Sequence, residues 1–133
     1  MIRDLNYYTY EIPESMTEKE VMDLFQNFFK HDRHLNSKKD NIKILVEISA
    51  RQWRTYSLVE ESTKKGVDEY LRGISNIDDL DEVDDLIQIA ISLGSKDLYE
   101  YIINNAKNKD VLEMIAEYQR EIIDISDPYV SFR

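Results

Sequence analysis

Leu86-Ile87-Gln88-Ile89-Ala90-Ile91-Ser92-Leu93-Gly94-Ser95-Lys96-Asp97-Leu98-Tyr99-Glu100-Tyr101-Ile102-Ile103 is the stretch that decides the fold. Residues 86–93 are apolar nearly all round, which marks a central, deeply buried helix rather than a surface one. Upstream, Asp79 stands where a cap is expected, and Leu80, Val83, Ile87, Ala90 and Ile91 share one helical face. Gly94 occupies the position at which a left-handed residue closes a helix. Ser95 can cap the next helix, with Leu98, Tyr101, Ile102 and Asn105 in line. A joint this short makes the two helices antiparallel neighbours.

Outward from this pair, the helical pattern continues in both directions. Asn108 can cap a last helix in which Val111, Leu112, Ile115, Tyr118 and Ile122 align. A short helix with Val67, Tyr70, Leu71 and Ile74 on its apolar face precedes the central one. Thr17-Glu18-Lys19-Glu20 forms a capping box ahead of Val21, Leu24, Phe25, Phe28 and Phe29, a helix ending near His31. Residues 42–50 read two ways. Ile42, Ile44, Val46 and Ile48 alternate as in a half-buried strand, while Ile42, Leu45, Val46, Ala50 and Trp53 share a helical face. β-branched content favours the strand, and the absence of a turn signal before Glu60 favours a long helix, the reading taken here. Leu5-Asn6-Tyr7-Tyr8-Thr9-Tyr10-Glu11-Ile12 is rich in aromatics and suits a strand or an extended arm ending at Pro13.

The only prolines are Pro13 and Pro128, and the only glycines Gly66, Gly73 and Gly94. Sandwiches and barrels need frequent turn residues, and helices need few. The expected fold is therefore all-α or mainly α: a stack of antiparallel helical hairpins with an N-terminal strand or extended arm. At 133 residues the chain suits one domain, 1–133, divided into an aromatic arm (1–16) and a helical body (17–133). Residues 86–103 resemble the helix–turn–helix half of an ankyrin-type repeat in their small residue, their Gly and the apolar end of the second helix. The family's Thr-Pro-Leu-His opening is absent. A faint echo, Ile48-Ser49 and Tyr56 against Ile91-Ser92 and Tyr99, lies 43 residues earlier.

With no cysteine, a disulfide framework, a thiol nucleophile and a thiolate zinc site are all excluded. The first residues lack the layout of a signal peptide and no apolar run reaches the roughly 20 residues of a membrane span, so the expected setting is cytoplasmic, without membrane contact. Charge is uneven. Residues 1–66 hold 11 acids and 11 bases, whereas residues 67–133 hold 16 acids and 6 bases, which places the whole net charge of −10 in the second half. Such a surface repels nucleic acid backbones and suits a basic protein partner.

Six acids fall within residues 78–85: Asp78, Asp79, Asp81, Glu82, Asp84 and Asp85. This is no calcium loop, since the sixth-position glycine and twelfth-position glutamate are missing in every register. Asp79, Asp81 and Glu82 suit a helix start, but Asp84 and Asp85 exceed that need and repel their neighbours. That excess makes the run a candidate contact surface. Tyr99, beside Glu100 and off the apolar face, is the best interface tyrosine among nine, while Tyr101 and Tyr118 read as core. His31 and His34 could chelate a metal, but Lys30, Arg33 and Lys38 would repel it, so neither metal nor cofactor is expected. Arg51-Gln52-Trp53-Arg54 most simply buries Trp53 and pairs its arginines with acids. Glu47, set among Ile44, Leu45, Val46 and Ile48, is the one residue a small enzyme could use as a base, and no second group accompanies it.

The expectation from sequence is a non-enzymatic protein–protein interaction module that neutralises a basic partner by direct binding. Its acidity, tyrosine content, size and lack of a catalytic set are similar to those of immunity proteins paired with bacterial toxins and of small antagonists of defence nucleases. The alternative is a regulatory or scaffold subunit that self-associates through its neutral and acidic halves.

Overall fold

A computed structural model describes residues 3–130 and contains six α-helices: α1 (Glu18–Lys30), α2 (Lys38–Trp53), α3 (Glu61–Ile74), α4 (Leu80–Leu93), α5 (Lys96–Asn105) and α6 (Lys109–Glu121). Two shorter turns accompany them, a π-helical one over Tyr7–Glu11 and a 3-10 turn over Asp32–His34. No strand occurs among the described residues. The fold is an all-helical stack of hairpins.

The helix starts follow local chemistry. Thr17 Oγ1 accepts from the Glu20 backbone N–H at 3.2 Å, and Glu20 Oε1 accepts from the Thr17 N–H at 3.0 Å, a complete capping box. Ser37, Asp79, Ser95 and Asn108 cap α2, α4, α5 and α6 through their side-chain oxygens. Gly94 closes α4 with φ +66, the left-handed region in which a Cβ is penalised. A Cβ there would also lie 2.8 Å from the Ser126 carbonyl oxygen.

Residues 42–50 are helical, within a 16-residue α2. Their strand-like alternation has a physical origin. Helix α2 packs against α1 and the N-terminal turn as well as against α4, so its buried face is broad, and Ile42, Ile44, Leu45 and Ile48 are spread across nearly half of its circumference. A buried face this broad blurs the narrow apolar stripe that marks period 3.6. Helix α4 is equally enclosed, with Val83, Leu86, Ile87, Ile89, Ala90 and Leu93 buried, and its packing on α2 is the most extensive between any two elements. Helices α5 and α6 then cover α4, while α3 packs on α5 and brings Tyr70 edge-on to Phe28 and Phe29 of α1.

The aromatic arm is neither strand nor extended. Leu5 and Asn6 are helical and lead into the π turn, where the Ile12 N–H donates to the Tyr7 carbonyl at 3.2 Å. With no partner strand available, the backbone groups of this segment are satisfied locally. Tyr8 is fully buried and its hydroxyl donates to the Asp32 carboxylate. Beyond the turn, Arg51 Nε and Arg54 donate to the Pro13 and Glu14 carbonyls at 3.2 and 3.3 Å, fastening this leg to the end of α2. Helix α3, expected as a short element, runs for 14 residues. Helices α4 and α5 form the hairpin read from residues 86–103, but the 43-residue echo has no structural counterpart. Tyr56 follows α2 in a left-handed conformation and is exposed, whereas Tyr99 lies buried within α5.

The three glycines divide sharply. Replacing Gly94 by Ala forces both a left-handed alanine, at roughly 1–2 kcal/mol, and a displacement of Ser126. Gly66, inside α3, faces open space, with nothing within 4 Å of the place a Cβ would take. Urea denaturation should show Gly94→Ala destabilised by about 2 kcal/mol and Gly66→Ala stabilised by about 0.5–1 kcal/mol.

Candidate functional site

The acidic run at the start of α4 is largely engaged by the chain itself. Asp79 Oδ1 accepts from the Glu82 N–H at 3.1 Å, and Glu82 Oε2 accepts from the Asn76 N–H at 2.9 Å. Asp84 accepts from the Tyr118 hydroxyl at 2.5 Å and from Gln88 Nε2 at 3.1 Å. Asp85, only 7% exposed, pairs with Lys43 of α2 at 2.8 Å. The expectation that Asp84 and Asp85 exceed the needs of the fold is therefore corrected: the first ties α6 to α4, and the second ties α2 to α4. Asp81 lies near Lys43 and adds to the field that raises the lysine's pKa, after the Asp85 hydrogen bond. Asp78 and Asp81 are exposed and make no side-chain hydrogen bond or ion pair among the described residues, so of the six they alone are clean surface acids.

Tyr99 is also corrected. It is 7% exposed, and its enclosed hydroxyl has no partner within the protein, so it belongs to the core and not to a contact surface. Burial raises its pKa. The buried face of α5 is Leu98, Tyr99 and Ile102, one position away from the face read from sequence. Tyr101 is half-buried, with the Arg72 guanidinium 4.8 Å from its ring centre. Glu100 is exposed and 3.7 Å from Lys96. Tyr118 is likewise half-buried. Burial, then its bond to Asp84, pushes its hydroxyl up to about 12.

A different acidic surface emerges on α6. Asp110, Glu113, Glu117 and Glu121 follow each other at spacings of three and four and all are exposed, forming one stripe along the helix. Lys109 and Arg120 lie within a turn, yet no ion pair engages these four acids among the described residues. The signal was present in the sequence as that spacing.

The remaining sequence candidates have structural roles. Glu47 pairs with Arg51, whose side chain is 5% exposed, so Glu47 neutralises a buried guanidinium rather than standing alone among aliphatics. Trp53 is half-buried, with Tyr129 stacked on it at 6.3 Å between centroids and its indole N–H donating to the Pro128 carbonyl at 3.4 Å. His31 and His34 are both exposed, and between them the buried Asp32 is committed to Tyr8. Among the described residues, no group of three or more His, Asp or Glu side chains is placed to hold a metal ion. No helix among them is long and apolar enough to cross a membrane.

A cleft of about 700 Å³ lies between α3 and the start of α5. Its lining offsets itself: Lys64 pairs with Glu61 at 3.2 Å, Arg72 with Asp68 at 2.7 Å and Lys65 with Glu69 at 4.0 Å. Bases and acids are thus interleaved along this cleft, which gives it no field of one sign. Compared with family models, curated proteins and solved structures, the chain finds no match.

Two outcomes follow from these contacts. Asp85→Asn should destabilise the fold by on the order of 1–2 kcal/mol, whereas Asp78→Asn should change it by less than roughly 0.5 kcal/mol, both read from thermal melts. Tyr8, Tyr99, Tyr118 and Tyr129 all ionise later in the folded chain than the ordinary 10.0. Their raised values hold stability constant below pH 10 and lose it as pH climbs towards about 12. Urea midpoints across this window should fall less steeply for Tyr118→Phe, which begins about 0.5–1 kcal/mol less stable because solvent screens its bond.

Proposed function

We propose that this chain is an acidic protein–protein interaction module that neutralises a basic protein partner by covering it, in the manner of inhibitor or immunity proteins. The observation that carries the reading is the stripe Asp110, Glu113, Glu117 and Glu121, an exposed row of like charges that no ion pair engages among the described residues. Like charges one turn apart weaken a helix by a few tenths of a kcal/mol per pair, roughly 0.2–0.5. Asp110 suits the start of the helix, but Glu113, Glu117 and Glu121 lie beyond the first turn, and an exposed row of this sign is suited to a contact in trans. Asp78 and Asp81 add a second exposed acidic site at the start of α4. Fields of one sign speed and orient encounter with a partner of the other. A nucleic acid partner would be repelled by the same field.

The geometry favours a binder over an enzyme. Glu47, the one candidate base, is held by Arg51, and the cleft between α3 and α5 is lined by bases and acids that pair with one another. Self-association is the competing reading, in which bases of residues 1–66 meet the acids of another copy.

Affinity capture from the native host, at low and high salt, separates the two. The expected result is one stoichiometric basic protein, held at low salt and released at high salt. Reversing Glu113 and Glu117 to lysine should then lower affinity at least tenfold, mainly through a slower association rate measured by surface plasmon resonance. Undiminished binding in that variant sinks the α6 stripe, and a salt-sensitive dimer with no partner gives the self-association reading its support.

A further inference from the structure

The acidic stripe of α6 does not end in open surface. It runs into an apolar groove of about 230 Å³ that lies between the end of α6, Ile91 of α4 and the segment 122–130. Ile91, Ile122, Ile123, Ile125 and Pro128 line it, and Ile123 is 73% exposed. Glu121, Asp124 and Asp127 stand in the same lining, and among the described residues no lysine or arginine does. An isoleucine left that exposed beside three other isoleucines is an unusual use of surface, because burying each such side chain is worth roughly 1.5–3 kcal/mol.

We infer that this groove is the anchoring subsite for a basic amphipathic segment of a protein partner, which sets one or two aliphatic side chains on the isoleucines while its flanking lysines or arginines meet Glu121, Asp124 and the α6 stripe. The inference rests on the acidic-module reading and specifies where that module holds its partner. Three features select this occupant. The volume falls below the roughly 300–1,000 Å³ of small-molecule clefts, but suits individual side chains. Charge complementarity favours cations around the anchor, since Glu121 and Asp124 are exposed in the lining and no base stands beside them there among the described residues. A two-fold contact between copies would set Glu121 and Asp124 of each against those of the other, within chains of net charge −10. Anionic lipid surfaces are repelled for the same reason.

The test uses the full chain and two synthetic probes: a leucine–lysine amphipathic helix of about 18 residues, or five turns, and an oligolysine of equal charge without leucine. Affinities come from fluorescence anisotropy and the footprint from backbone amide shifts. The leucine–lysine peptide should bind at least tenfold more tightly than oligolysine, with shifts centred on Ile91, Ile122, Ile123 and Ile125. Ile123→Asp, at a position 73% exposed, should remove that preference, while its added negative charge leaves oligolysine bound at least as tightly as before. Glu117→Lys/Glu121→Lys should weaken both peptides. Equal binding of the two probes, indifferent to Ile123→Asp, overturns the groove and leaves the acidic-module reading standing. Absence of binding by either at low salt overturns both. Concentration-dependent dimers that vanish in Ile123→Asp would instead assign the groove to a second copy.

Discussion

Helices α2 and α4 each bury side chains across a broad face, and a helix so enclosed has less solvent side on which to place polar residues. Their mutual packing, the most extensive in the chain, sets the positions of everything else: α1 and the N-terminal turn close one side of α2, and α5 and α6 close α4. The apolar half of α4, residues 86–93, lies deepest. Its charged half lies towards the N-terminus, where acids also favour the helix dipole. One helix therefore serves both as core and as an attachment post for its neighbours.

The attachment is polar. Tyr8 to Asp32, Tyr118 to Asp84, Lys43 to Asp85 and Arg51 to Glu47 join elements or fix a buried charge, and each uses a carboxylate. Hydrogen bonds to charged groups are stronger than neutral ones and demand particular geometry, so they select one packing among many that an aliphatic core would accept. Several acids that look like excess charge in the sequence are spent here. The α6 acids, with Asp78 and Asp81, take no part in these attachments.

Helix starts were legible because they depend on local chemistry. Thr17 with Glu20, Asp79, Ser95 and Asn108 cap as their sequence positions indicate, and Gly94 adopts the left-handed turn. Three readings failed where tertiary contact decides. The N-terminal arm coils over residues 5–11, where no strand among the described residues could pair with it. The buried face of α5 turns on Tyr99 rather than Tyr101, because the Arg72 guanidinium gives the Tyr101 ring a partner nearer the surface. The acidic run at 78–85 drew attention by its density. Its partners, Lys43 and Tyr118, lie more than 30 residues away and no local pattern announces them. The α6 stripe was open to reading from spacing alone, but a periodic row is less conspicuous than a cluster.

The close seat of Gly94 against Ser126 has an evolutionary consequence. The carbonyl of Ser126 fills the space that any side chain at position 94 would need, and Pro128 presses on the same corner. The glycine and the path of the segment that returns to it therefore constrain each other. A lineage that lengthened the segment would release the glycine to drift, and one that lost the glycine would have to move the segment away. The groove walled by that segment would change shape with it.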